Sequence, residues 1–306
     1  MKAWLLLLPL VCFAQEPFRV DVQLVNVGFS VRDSQGRLVP DLSKDDFEVL
    51  EDGVPQKVAF FARSSDVPLR IGLIVDISGS QDSFVKPHQR DLKAFLDTVL
   101  GPRDRAFLLC FGNHPRLVAD YTSSPGQLVD AFLGYSRLHD TSNYPELGPP
   151  EIRTAGTAFY DAIYHSVNQM FRTEDRGRKA LIVFSDGEDN SSAHHEIDTI
   201  ELAQSNNVLL FMVRYTEPSH GRWTARNKYG RAIMERMALD TGGADYDAQQ
   251  QGLAQNFREI GDQLRNSYEL AYQSTNPVRD GAFRKLAIHV RKAGLTVRAK
   301  SGYYAR

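Results

Sequence analysis

The chain has 306 residues, of which 42% are hydrophobic and 24% charged, with a formal net charge of -2. This is an ordinary globular composition, enough for one large domain or two smaller ones. So balanced a charge gives no electrostatic reason to expect binding to DNA, RNA or an anionic membrane.

The N-terminus stands apart from the fold. Met1-Lys2 is followed by an apolar run to Phe13 and then by the small Ala14, the layout of a secretory signal peptide cleaved after Ala14. The run is well short of the ~20 residues that a spanning helix needs, and no later segment is long and apolar enough to cross a membrane. A lipid on Cys12 is the alternative, and bulky Val11 before it argues against that. The sequence therefore predicts export to the periplasm, the cell surface or the medium. After cleavage Cys110 is the one cysteine left, so no internal disulfide forms. It sits in Arg105-Ala-Phe-Leu-Leu-Cys-Phe111, a buried-strand pattern that makes it a core residue rather than a nucleophile.

Residues 15–67 read as β-rich. Phe18 to Arg32 alternates apolar and polar residues, and Asp33-Ser-Gln-Gly36 supplies a turn. Asp45–Val49, a tight turn at Glu51-Asp52-Gly53 and a return strand over Val58-Ala-Phe-Phe61 form the next hairpin. From residue 68 to 267 the grammar changes. Apolar runs at 71–75, 106–111, 180–184 and 208–213 alternate with amphipathic stretches near 85–99, 125–133, 157–171, 194–205, 230–240 and 250–266. That alternation predicts an α/β fold, a doubly wound and mostly parallel sheet covered on both faces. Residues 213–232, rich in Arg, Lys, His, Ser and Gly, read as an exposed loop. The β grammar returns over 268–306, and these strands are expected to pack with the N-terminal ones as a small β-rich module.

Three segments carry chemistry. Ile71-Gly-Leu-Ile-Val runs straight into Asp76-Ile-Ser78-Gly-Ser80; Gly156 precedes Thr157 at a helix start; and Leu181-Ile-Val-Phe-Ser runs into Asp186-Gly-Glu-Asp. Open α/β sheets place ligands at the carboxyl ends of their strands. Asp76, Ser78, Ser80, Thr157 and Asp186 offer two carboxylates and three hydroxyls, hard oxygen donors that suit Mg²⁺, Mn²⁺ or Ca²⁺ rather than zinc. Two carboxylates neutralise a divalent ion, and the hydroxyls fill positions without adding charge. The set is one or two oxygens short of a full shell, so an acidic group of a partner can complete it.

Other polar residues have plainer readings. Asp161, one helical turn after Thr157, orients loops. Glu188, Asp189 and Asn190 form a solvated turn. His194 and His195 are adjacent, a spacing unlike common zinc motifs, and read as surface residues near a helix start; His165 reads as structural. Arg222-Trp-Thr-Ala-Arg226-Asn-Lys-Tyr229 reads as a solvated loop. Ser78 and Ser80 lack a Gly-x-Ser-x-Gly elbow and an evident histidine partner.

The three segments, in this order, resemble the metal-ion-dependent adhesion site of von Willebrand factor type A (VWA) domains over roughly residues 68–265. Asp45-Asp-Phe-Glu-Val-Leu-Glu-Asp-Gly-Val-Pro-Gln-Lys57 and the closing Lys300-Ser-Gly-Tyr-Tyr304 resemble a secreted VWA-related family described from acidobacteria. The resemblance implies that Ser78, Ser80 and Thr157 touch the ion directly, while Asp76 and Asp186 act through water. It implies a non-enzymatic adhesion or protein-binding module whose partner offers an Asp or Glu to the metal, with residues 140–153 and 215–230 shaping the rim. The alternatives are a metal-assisted hydrolase of phosphate or ester substrates and a purely structural envelope protein.

Overall fold

The structure is a computed structural model that describes residues 24–64, 67–138, 140–153, 155–172, 177–218, 221–250 and 252–306. The signal-peptide reading of residues 1–14, and Cys12 with it, lies outside the described residues. Among the described residues no helix is long and apolar enough to cross a membrane.

The chain opens with β1 (Leu24–Arg32), β2 (Phe47–Glu51), β3 (Val54–Gln56) and β4 (Val58–Ser64). The α/β region follows, with β5 (Leu69–Asp76), α1 (Val85–Val99), β6 (Arg105–Phe111), β7 (Pro115–Thr122), α2 (Pro125–Tyr135) and α3 (Phe159–His165). It continues through β8 (Arg178–Ser185), α4 (Glu196–Ser205), β9 (Val208–Arg214), α5 (Ala225–Thr241), β10 (Ala244–Asp247) and α6 (Leu253–Arg265). The chain closes with β11 (Ser267–Gln273), β12 (Phe283–Val290), β13 (Thr296–Ala299) and β14 (Gly302–Tyr304).

Six strands form the central sheet in the order β10-β9-β8-β5-β6-β7. All neighbours are parallel except the edge strand β7, which runs antiparallel to β6. The central strands are apolar throughout because both faces are covered. Leu69, Ile71, Leu73 and Val75 of β5 pack with α1, α2 and α6 on one side. Ile74 and its neighbours on β6, β8 and β9 pack with α3, α4 and α5 on the other. Gly72 has no room for a side chain on that second face: a Cβ there would stand 2.4 Å from both Leu181 and Phe107.

Strands from the two ends of the chain share two further sheets, ordered β13-β1-β11-β4 and β14-β12-β2-β3. Val27, Phe29, Phe47, Val49, Tyr268, Leu270, Tyr272, Leu286 and Ile288 are among the residues of the core between them. Buried Glu51 ties them together. It accepts hydrogen bonds from Tyr272 on one sheet, from Tyr303 on the other, and from Ser274 beyond β11.

Three expectations need correction. The turn at Asp52-Gly53 has φ of 49° and 83°, the left-handed pair of a type I′ hairpin. Its return strand, however, is the short β3, whereas Val58–Phe61 belongs to β4, which pairs with β11 in the other sheet. The loop read over 213–232 is helical from Ala225 onward. Thr224 caps that helix by accepting from the Asn227 N–H at 3.1 Å, so the polar run is its first turns rather than a loop. Strands β7 and β10 carried too little apolar signal to be read: both lie at sheet edges, and most of their residues are only partly buried.

Glu51→Ala should lower folding stability by roughly 2–4 kcal/mol, because it strands buried tyrosine hydroxyls without an acceptor. Urea unfolding monitored by circular dichroism checks this, with Glu51→Gln expected to lose less.

Candidate metal centre

The three segments meet at the carboxyl ends of β5, β6 and β8. Asp76, the last residue of β5, is fully buried. Its Oδ1 accepts from the Ser78 N–H at 2.9 Å, which folds the chain back over the strand end. Its Oδ2 accepts from the Ser185 hydroxyl at 2.6 Å, and the same hydroxyl accepts from the Gly187 N–H at 3.1 Å. Ser185 thereby locks the β8 end against the β5 end. Its part was not singled out in the sequence, although it stands beside Asp186.

Residues 79–84 form a 3₁₀ turn that presents the two serines. The Ser78 and Ser80 hydroxyl oxygens are 3.3 Å apart, and Ser80 donates to Asp186 Oδ2 at 2.7 Å. Asp186 is also nearly buried, and its Oδ1 accepts from the Glu188 N–H at 3.0 Å. Ser80 thus touches both Ser78 and Asp186, while Asp76 holds the Ser78 N–H.

Thr157 reaches the same end by backbone contacts. Ile77 donates to Phe111 O at 2.8 Å, and Ala158 donates to Gly112 O at 2.7 Å, so the 157–158 segment flanks the loop that follows β6. The Thr157 N–H donates to Asn190 Oδ1 at 2.7 Å, and its carbonyl accepts from the N–H groups of Asn190 and Ser191. Thr157, placed by the sequence at a helix start, lies one residue before the N-cap. Ala158 is the N-cap residue of α3, with no side-chain cap, which leaves the Thr157 hydroxyl uncommitted to the helix.

The acidic loop is not a solvated turn. Asn190 fixes Thr157, and Asp189 accepts from the Tyr160 N–H at 3.3 Å and from the Ser192 hydroxyl. Asp161 orients this loop, as the sequence suggested: buried, it accepts from the N–H groups of Ala193 at 2.9 Å and His194 at 3.0 Å.

A second layer supports Asp186, and sequence reasoning missed it. Buried Gln81 donates through Nε2 to Asp186 Oδ2 at 2.9 Å and to Tyr215 O at 3.3 Å. Its Oε1 lies 3.2 Å from His88 Nε2. Burial lowers the His88 pKa to about 3, against the opposing pull of Asp91, so the ring is neutral and donates to Gln81. Tyr215 in turn donates to Asp91 at 2.7 Å. Neither Gln81 nor His88 carries a motif; the one available signal was their i, i+7 spacing across the start of α1.

Helix α5 braces the third loop. Gly187 has φ of 77°, and Gly230 lies so close that a Cβ on it would stand 2.3 Å from Asp186 O. Arg226 pairs with Glu188 at 3.1 Å across the same contact.

The electrostatics describe a site short of positive charge. Burial, and after it the negative charge of Asp186, raises the Asp76 pKa to about 7 against the bonds from Ser185 and Ser78. Burial and Asp186 also raise Glu188. Cys110, beneath this end of the sheet, is fully buried and its thiol is pushed far up by burial, which agrees with a core role.

No family profile matches the sequence and no curated protein matches it. Solved structures do. One is an aerotolerance-related membrane protein from Bacteroides fragilis carrying multiple mutations to serine, 14% identical with a TM-score of 0.48, covering 64% of this chain and 98% of that one. Another is proximal thread matrix protein 1 from the mussel byssus, with a zinc-occupied MIDAS motif, 12% identical with a TM-score of 0.48 over 69% of this chain and 48% of that one. A third is the VWA domain of SpRpn10, 14% identical with a TM-score of 0.41, covering 62% of this chain and 93% of that one. The chain itself has a six-stranded, mostly parallel sheet between helices, with antiparallel sheets built from its two ends.

The raised Asp76 pKa sets a pH dependence with a definite sign. Between about pH 4 and about pH 7 the unfolded carboxyl has lost its proton while the folded one keeps it, so the folded state binds more protons and stability falls as pH rises. In EDTA, thermal melts should show lower stability above pH 7 than near pH 5, by about 3 kcal/mol. Asp76→Asn should flatten most of that slope.

Proposed function

We propose that this chain is an exported, non-enzymatic protein-binding module that captures an acidic group of a partner through a divalent cation held by Asp76, Ser78, Ser80, Thr157 and Asp186. One observation carries the metal reading. Neighbouring ligand oxygens around octahedral Mg²⁺ stand about 3 Å apart. The Ser78 and Ser80 hydroxyl oxygens, 3.3 Å apart, stand near that value, and Ser80 hydrogen-bonds to Asp186 at 2.7 Å, as to an outer carboxylate. This spacing supports Mg²⁺, or Mn²⁺ or Ca²⁺, at the two serines.

Each residue has a task in this reading. Ser78, Ser80 and Thr157 offer hydroxyl oxygens to the ion, while Asp76 and Asp186 supply the balancing charge and hold the hydroxyls and bridging waters. Gln81 and Ser185 keep the two carboxylates oriented. The bound ion supplies Lewis acidity toward a carboxylate of the partner. Residues 140–153 and 215–230 would shape the rim, where Trp223 and Tyr229 are exposed. In domain terms, residues 68–267 form the VWA unit, inserted between residues 15–67 and 268–306 of one β-rich module. That the two ends share sheets supports this division.

Calorimetry on the mature protein should detect Mg²⁺ or Mn²⁺ binding, abolished in Asp76→Ala; unchanged binding in that variant would place the ion elsewhere. Gly230→Ala removes no ligand yet pushes α5 against Asp186, so it should weaken metal binding by about tenfold or more. A pull-down from cell-envelope extract should recover a partner in Mg²⁺ and lose it in EDTA. Recovery indifferent to EDTA would contradict capture through a cation, and turnover in an esterase and phosphatase screen would favour the hydrolase instead.

A further inference from the structure

A second cluster lies on the other side of the acidic loop. One oxygen of Asp161 and one nitrogen each of His165 and His194 lie within 4.8 Å of one another, and these are the only grouped potential metal ligands of this kind among the described residues. Asp161 and His165 come from α3, and His194 from the loop that enters α4. The two imidazole rings stand 5.1 Å apart and nearly perpendicular, at 86°.

Structural roles already account for part of this cluster. The His194 Nδ1 lies 2.7 Å from Asp161 Oδ1, and its ring stacks on Tyr164 at 3.6 Å. Arg153 donates to Asp161 Oδ2 and also pairs with Glu151. His165 is not accounted for. Its side chain is buried, and its Nδ1 has no hydrogen-bond partner. A buried imidazole nitrogen without a partner costs free energy in a purely structural role. Burial also lowers its pKa, which keeps the ring neutral and able to ligate.

We propose that Asp161, His165 and His194 form a zinc site distinct from the oxygen-rich centre. Two imidazoles and a carboxylate are borderline donors that select Zn²⁺ over Mg²⁺ or Ca²⁺. Ligand atoms around tetrahedral zinc stand about 3.3 Å apart. That lies between the 2.7 Å His194–Asp161 contact and the 4.8 Å limit of the cluster, so side-chain rotation accommodates the ion. Zinc takes the place of the proton between His194 Nδ1 and Asp161, and by exchange with solvent the ring carries its proton on Nε2 instead, so the bound imidazole stays neutral. Arg153 keeps hold of the other carboxylate oxygen, as outer hydrogen bonds commonly do at metal sites, and Glu151 balances its charge. The His194 side chain is 26% exposed, which gives the ion a way in. A fourth position remains for water. The consequence is mechanical: zinc would cross-link α3 to the loop that carries Asn190, the residue that holds Thr157.

Cobalt substitution tests this, because a tetrahedral nitrogen–oxygen site gives Co²⁺ a far stronger visible absorption than an octahedral oxygen site. The metal-stripped mature protein should gain the strong band, Asp76→Asn should keep it, and one equivalent of Zn²⁺ should erase it. His194→Ala, at a partly exposed position, should lose the band while its circular dichroism spectrum stays unchanged. In the unmodified protein, Zn²⁺ should shift the imidazole proton resonances of two histidines. A missing band, a band that survives His194→Ala, or imidazole resonances unmoved by Zn²⁺ would each overturn the proposal.

Discussion

Two buried carboxylates at one end of a sheet govern this structure. Asp76 and Asp186 end adjacent parts of the α/β core, and each accepts hydrogen bonds from neutral groups. Their repulsion, added to burial, holds the Asp76 proton to about pH 7. Much of the surrounding architecture serves to keep these groups close: Ser185 bridges β8 to β5, Gln81 reaches across to Asp186, and α5 presses Gly230 against the third loop. Holding two carboxylates this close is opposed both by burial and by their repulsion.

The supporting layer is conservative in chemistry and specific in geometry. Gln81 is held by neutral His88 on one side and by the Tyr215 carbonyl on the other, while Tyr215 is anchored on Asp91. These contacts join the first loop, α1 and the segment after β9 into one network, so Asp186 is positioned from several elements at once. On the opposite flank, Asp161, Asp189 and Asn190 do the same for Thr157. A preorganised oxygen cradle needs such a second layer to keep its ligands in place between binding events.

The fold was legible where burial forces a pattern. Strands β5, β6, β8 and β9 are covered on both faces, so their sequences are apolar runs that end in recognisable polar residues. Asp76, Ser78, Ser80 and Asp186 stood out because they follow such runs directly, and the structure brings these four into one place. Thr157 was placed beside them by family resemblance and by its position after Gly156. What escaped was tertiary in origin. The edge strands β7 and β10 lack a periodic apolar signal, and β4 leaves the hairpin to join a different sheet. The start of α5 is too polar to look helical, and Gln81 and His88 matter only through partners far away in sequence. The same is true of His165 and His194, which sequence separates and the fold brings within ring contact.

Relief of the charge at Asp76 and Asp186 by a cation, as proposed, is tested most directly by thermal melting in Mg²⁺ against EDTA. Mg²⁺ should raise the melting temperature of the protein, more above pH 7 than near pH 5, and should leave Asp76→Asn unmoved. An equal rise in Asp76→Asn, or none in the unmodified protein at any pH, would contradict it.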